Sequence, residues 1–459
     1  MLLKLYYILI FIALVAAINA DYLKFENYKV YKIALQSDKD VKAISDLQED
    51  GRWYFWSDII KICGDVRIMV SPENQKEFED HLASVNVSSN VIIQDVQQLI
   101  DGQLRRPSSI SRSIADYSWN YYQTLDEINA WLDAMAEKHP DVVTIVTMGS
   151  SVEGRPIRGV KIDFQKRENP VIGIIEGGIH AREWISPATV TWIIKEFLES
   201  SDPGVRSLAT NIVWHIFPVV NPDGYLYTFT DNRMWRKNRN TANFTSCSQW
   251  GVRDDISNGI DLNRNFGYLW MTIGASQNPC TETFAGPVPF SEPETVAIVN
   301  YVMAMKNEGE LVYYFAFHSY SQLVLVPYSH LGGADVIQAP NYADMFEIAI
   351  KGMDKLKEKY GTDYVVGTSQ DILYPTSGGS FDWVKSEGVP IVYLFELRDV
   401  GQYGFLLPPR QIIENNEEIV ESLVEMDRVT RQLGYYTIGS ANRFGLSILV
   451  FILSVVFAL

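Results

Sequence analysis

From about residue 114 to 436 the chain alternates continuous apolar runs with amphipathic segments, and this alternation constrains the fold more than any other feature. Residues 142–148, 158–163, 171–176, 212–220, 311–318 and 391–396 read as strands. Residues 125–139, 187–198, 293–305 and 345–360 carry helical spacing, with Ser291 as a candidate cap before the third. Strands that are apolar on both sides need cover on both faces, and the interleaved helices supply it. The expected fold is α/β: a mixed twisted sheet covered by helices on both faces, within residues 113–438.

A smaller unit precedes it. Residues 28–35, 53–56, 66–70 and 91–96 read as strands. Residues 38–50 read as a helix with Val41, Ile44 and Leu47 on one face, and Ser71-Pro72-Glu73 opens a second helix. The order β-α-β-β-α-β is that of a split βαβ unit, a small α+β module with an antiparallel sheet. No His, Cys or acidic cluster at ligand spacing occurs there. Residues 103–113 are basic and Ser-rich and read as a linker, either a plain interdomain loop or a protease-sensitive site. Arg106 is followed by Pro107, so Arg112 is the expected cleavage point. Module and linker together span 21–112.

The two ends read as addresses. Residues 1–20 have a positive start at Lys4, an apolar run and small residues before a break after Ala20 or Ala17, the pattern of a secretory signal peptide. Export implies an oxidising compartment, and glycosylation triplets at Asn86 and Asn243 suit it. The apolar stretch 445–459 is shorter than the roughly 20 residues that span a bilayer. With small residues at 439–442, the tail 439–459 fits a GPI-attachment signal, and a tail anchor or a docked C-terminal strand are the alternatives. Three Cys allow one bridge and one leftover thiol. A formal charge of −17 argues against a nucleic-acid partner and against a purely electrostatic hold on anionic membranes, so the expected membrane contact is through a C-terminal lipid anchor.

Candidate chemistry sits at the ends of the predicted strands. His180 follows the strand 171–176 and a Gly177-Gly178 turn, and Glu183 comes three residues later. Imidazole and carboxylate at that spacing suit zinc, whose catalytic sites keep a position open for water. On its own the pair is equally an ordinary surface contact. His318 closes the strand 311–318, on the side where open α/β sheets bind ligands. Glu396 closes another buried strand; it can serve as general base and acid, or as a capping ion pair with Arg398. Arginines in 231–237 and 261–265 can bind a carboxylate or a developing oxyanion.

Taken together, His180-x-x-Glu183, Asn221-Pro222-Asp223-Gly224, Arg233-Met234-Trp235-Arg236, Asn263-Arg264-Asn265, His318-Ser319-Tyr320-Ser321-Gln322, Ser377-Gly378-Gly379 and Phe395-Glu396-Leu397-Arg398-Asp399 resemble a zinc metallocarboxypeptidase of the pancreatic A/B type. The resemblance covers residues 21 to about 436. It implies a zymogen whose pro-domain is released by a trypsin-like protease. It implies one Zn²⁺ held by His180, Glu183 and His318, with Glu396 as base and acid and Arg236 on the scissile carbonyl. Asn263, Arg264 and Tyr374, the last from a mobile loop, would grip the terminal carboxylate of a peptide or protein. Arg182 and Tyr320 would contact residues further upstream.

The resemblance also pairs Cys247 with Cys280, leaves Cys63 as a buried free thiol, and makes the 248–260 stretch longer than usual. It places Phe381 at the floor of the pocket for the C-terminal side chain, with Leu394 on its wall. An acid at the floor goes with Lys or Arg termini; Phe381 offers no charge, so uncharged, apolar termini are expected. The expected product is a secreted monomer, on the cell surface if the tail is exchanged for lipid. A tethered binding protein and a zinc hydrolase of another amide are the competing readings, and no ligand or base is lost to favour the first.

Overall fold

The computed structural model describes residues 22–48, 52–56, 64–105, 117–248, 254–330 and 338–437. The leader, Cys63, Arg112, residues 249–253 and the tail 439–459 lie outside the described residues. In the N-terminal unit, β1 (Lys29–Ala34), α1 (Asp38–Gln48), β2 (Tyr54–Phe55), β3 (Asp65–Val70), α2 (Gln75–Ser84), β4 (Ser89–Ile93) and α3 (Val96–Leu104) follow in order. The strands form an antiparallel sheet in the order β2-β3-β1-β4. The strand read at 91–96 ends early. Asp95 caps a helix by accepting from the Gln97 N–H, and Val96 and Ile100 bury one face of it. Gln103, read as linker, is therefore the buried end of α3.

The larger domain contains α4 (Leu125–Lys138), β5 (Val143–Ser150), β6 (Pro156–Ile162), β7 (Val171–Gly177), α5 (Ile185–Glu199), α6 (Pro203–Asn211), β8 (Val213–Phe217) and α7 (Pro222–Thr230). Then come α8 (Pro293–Glu308), β9 (Glu310–Ser319), β10 (Leu323–Val326), α9 (Tyr342–Tyr360), β11 (Val365–Thr368), α10 (Ser369–Ile372), α11 (Ser380–Ser386), β12 (Ile391–Leu397) and α12 (Ile412–Gln432). Eight strands form one mixed sheet in the order β11-β10-β12-β9-β7-β8-β6-β5. Its centre is parallel: β12 with β9, β9 with β7, β7 with β8.

Each face has its own core, as an α/β sheet requires. Trp131, Ile193, Phe197, Trp214, Phe315 and Leu423 belong to one, and Ile174, Ala297, Val302, Tyr314 and Val392 to the other. Successive residues of β9, Tyr313 and Tyr314, point into opposite cores, the period-2 alternation of a strand. Helix starts follow capping chemistry: Thr124 and Glu127 make a reciprocal capping box on α4, and Asp202 caps α6 ahead of Pro203. Ser291 is not the cap of α8. That position is Glu292, and the Ser291 hydroxyl donates to its carboxylate at 2.7 Å.

Cys247 and Cys280 are joined in a disulfide with Cα atoms 5.7 Å apart. Closing a loop of this length contributes about 2–4 kcal/mol by restricting the unfolded chain. The N-terminal unit docks on the larger domain at the carboxyl end of the central strands. Trp56, Met69, Val96 and Ile100 share one apolar cluster with Met234, Tyr320, Phe405 and Leu406. Gln103 donates to the Leu407 carbonyl at 3.0 Å and accepts from Arg233 Nε at 2.9 Å.

Candidate active site and metal centre

Three parallel neighbours, β12, β9 and β7, aim their carboxyl ends at one place. His318 lies on β9 in register with Glu396 on β12. Past the end of β7 the chain turns at Gly178, whose φ of +66° is a left-handed value that glycine adopts without strain. His180 and Glu183 follow in the turn that leads into α5. His180, Glu183 and His318 are buried, and one ligand atom from each lies within 4.8 Å of the others. His180 Nδ1 is 2.7 Å from Glu183 Oε1, and His318 Nδ1 is 3.2 Å from both Glu183 Oε2 and His180 Nδ1.

A second carboxylate orients this group. Asp261 Oδ1 lies 3.1 Å from His180 Nε2. An imidazole that donates its Nε2–H there keeps a bare lone pair on Nδ1, facing Glu183 and His318. Two imidazole nitrogens and a carboxylate within 4.8 Å of one another make a set that a divalent cation would complete, and its N₂O composition fits zinc. Burial works against the charge on Asp261, and Arg236 foremost, with Arg264, helps to override it and hold the group well below its usual range.

Asp261 Oδ2 accepts from Arg236 Nε and Nη2 at 3.0 and 2.8 Å. One buried carboxylate thus fixes both a metal-type histidine and the arginine expected at the scissile carbonyl. Asp261 stands in plain view in the motif 261–265, yet nothing local in the sequence marks this double role. Arg264 is locked by donation to the Gly274 and Asn263 carbonyls at 2.7 and 3.1 Å, and its Nη2 lies 3.1 Å from the Tyr374 hydroxyl. Asn263 accepts from the Ser380 N–H at 2.9 Å, which turns its amide nitrogen the other way. Behind it, fully buried Glu176 accepts from Ser380 Oγ at 3.3 Å and Tyr314 Oη at 3.1 Å, a contact the sequence reading also misses.

These groups share one cleft. His180, Glu183, Arg236, Asn263, Arg264 and His318 line it together with Tyr320, Tyr374, Phe381, Leu394 and Glu396. Phe381 sits in the first turn of α11 and is buried; Leu394 on β12 faces Leu325 on β10 across the sheet. Arg182 lies to one side, 4.2 Å from the centroid of the Phe405 ring, with Glu282 3.5 Å from its Nη1. Trp56, Asp65 and Arg67 of the N-terminal unit line the same cleft.

Comparison with known proteins agrees with this arrangement. The "Zinc carboxypeptidase" family model matches residues 128–422, and the "Carboxypeptidase activation peptide" model matches 31–103. The chain is 37% identical over 421 residues to "Zinc carboxypeptidase A 1" of Anopheles gambiae, covering 91% of this chain and 93% of that protein. It is 40% identical to "Carboxypeptidase O" of Homo sapiens, covering 68% and 80%. Among solved structures, thrombin activatable fibrinolysis inhibitor superposes with a TM-score of 0.79 at 28% identity, covering 89% of this chain and all of that one. Carboxypeptidase A of Helicoverpa armigera gives 0.77 at 27% identity, covering 90% and 99%. The chain belongs to the zinc carboxypeptidase family and carries the family's activation peptide ahead of its enzyme domain.

Proposed function

We propose that this chain is the secreted zymogen of an exopeptidase that removes uncharged C-terminal residues from peptides after cleavage at Arg112. The observation that supports the reading is that Asn263, Arg264 and Tyr374, residues suited to clamp a carboxylate, line the same cleft as the triad and Glu396. A clamp of that kind admits a chain end and aligns the last peptide bond. His180, Glu183 and His318 would hold the zinc, which when bound would supply a water of lowered pKa, about 7, and an electrophile for the carbonyl. Glu396 takes a proton from the attacking water and passes it to the leaving amine. Arg236, held by Asp261, neutralises the charge that develops on the carbonyl oxygen. Phe381 and Leu394 give the terminal side chain an apolar, uncharged seat, in which an unpaired ammonium or guanidinium would be buried at high cost.

The direct test uses the secreted zymogen, nicked by trypsin, on peptides that differ only in their last residue. Mass spectrometry with and without a zinc chelator reads the products. Chelator-sensitive loss of single uncharged residues is expected. Release of Lys or Arg sinks the pocket assignment but keeps the enzyme. No trimming by the zinc-loaded, cleaved chain moves the reading to a binding protein or to a hydrolase of another amide. A GPI anchor in place of the tail is tested by release of the protein from cells with a phosphatidylinositol-specific phospholipase.

A further inference from the structure

The activation peptide places a cation in the cleft. Arg67 on β3 reaches the cleft wall, where its guanidinium carbon lies 5.8 Å from the centroid of the Tyr320 ring. Its Nη2 donates to the Val400 carbonyl at 2.6 Å. The next residue, Gly401, makes room for it. A Cβ at that position would come within 2.2 Å of Arg67 Nε, and the backbone φ of +95° is one that other residues adopt only under strain. Asp399 braces the loop by accepting from the Gly401, Tyr403 and Gly404 N–H groups at 2.7, 2.8 and 3.0 Å. The other nearby cation, Arg182, is already held between the Phe405 ring and Glu282.

Ring face, carbonyl and bare backbone all belong to the enzyme domain, so they remain when the peptide leaves. A guanidinium over an aromatic face with a carbonyl acceptor at its edge is a favoured contact in a partly desolvated cleft. We propose that Tyr320, the Val400 carbonyl and Gly401 form a subsite for an arginine side chain upstream of the scissile bond, and that Arg67 occupies it in the zymogen as a stand-in. This rests on reading the chain as a carboxypeptidase that acts on peptide ends. It adds to that reading a class of substrate: chains with an uncharged last residue and an arginine a short distance before it.

The test uses the full zymogen, cleaved by trypsin and then freed of trypsin activity with an inhibitor. Peptides share one uncharged last residue and carry Arg or Gln at each of the four preceding positions in turn. At one position Arg is expected to raise kcat/KM about tenfold, through KM. Gly401→Ala is expected to bring the Arg/Gln ratio at that position to about one. Should that variant fail to fold, argininamide serves as the probe on the wild-type enzyme, where it is expected to inhibit release from the Gln peptide competitively. Equal kcat/KM for Arg and Gln at every position, with no competition by argininamide, overturns the subsite. Absence of release from every peptide instead overturns the carboxypeptidase reading beneath it.

Discussion

His180 Nε2 and Asp261 Oδ1 lie 3.1 Å apart with both side chains out of water. The contact sets which imidazole nitrogen carries the proton, and so which one is left for a metal. Asp261→Asn is expected to weaken zinc affinity about 10–100-fold, read by competition with a chelator. It also loosens Arg236, so kcat is expected to fall further than metal occupancy alone explains. Equal zinc affinity in the two proteins would remove Asp261 from the orienting role.

Glu396→Gln separates chemistry from metal binding. The variant is expected to hold one zinc per chain with unchanged affinity and to lose about 10²–10⁴-fold in kcat. Metal analysis alongside single-turnover kinetics checks both halves. In the unaltered enzyme, 1,10-phenanthroline is expected to stop release and added zinc to restore it.

Phe381 lines the cleft and is the proposed floor of the terminal pocket. Phe381→Ala is expected to shift preference toward aromatic last residues, about tenfold in the kcat/KM ratio of Phe to Val termini. Because Phe381 is buried against the second core, the same change is expected to cost about 3–5 kcal/mol of stability. Peptide competition reads the first effect and thermal unfolding the second. An unchanged ratio would place the pocket floor elsewhere.

Asp382 is expected to give the fold a pH dependence. Burial pushes its carboxyl up to about 7, and it accepts from the Ser329 N–H at 2.9 Å. The folded value is raised above the unfolded one, so the folded chain holds a proton that the unfolded chain releases. Its contribution is present at acid pH and is lost as pH rises from about 4 to about 7. Asp382→Asn is expected to flatten the fall of Tm over that window. A parallel pair of Tm curves would count against the assignment.

Much of the candidate site is legible because its residues close apolar strands. His318 and Glu396 each stand at the end of a run whose burial is evident from composition, and parallel pairing then sets them side by side. Elements with weak local signals were less legible. β10 and β11 are only four residues each, and their pairing is made with strands far away in sequence. The 21-residue α12 was not among the helices read, although Ile412, Ile419, Leu423 and Met426 carry a helical period; its dense acidic residues mask the stripe. Gln103 looked like linker because its burial comes from docking against Arg233, 130 positions away. Asp261 and Glu176 are of the same kind. Their partners are tertiary, and no periodicity reports a partner.

Tyr320 touches the activation peptide through Arg67 above it, while Phe405 of its own domain lies beside it with ring centroids 5.0 Å apart. On the subsite proposed above, latency and selectivity would draw on one set of atoms. A substitution at Tyr320 or Gly401 that tightens capture of a peptide also tightens the hold of the segment that silences the enzyme, and one that frees the enzyme early blunts its discrimination.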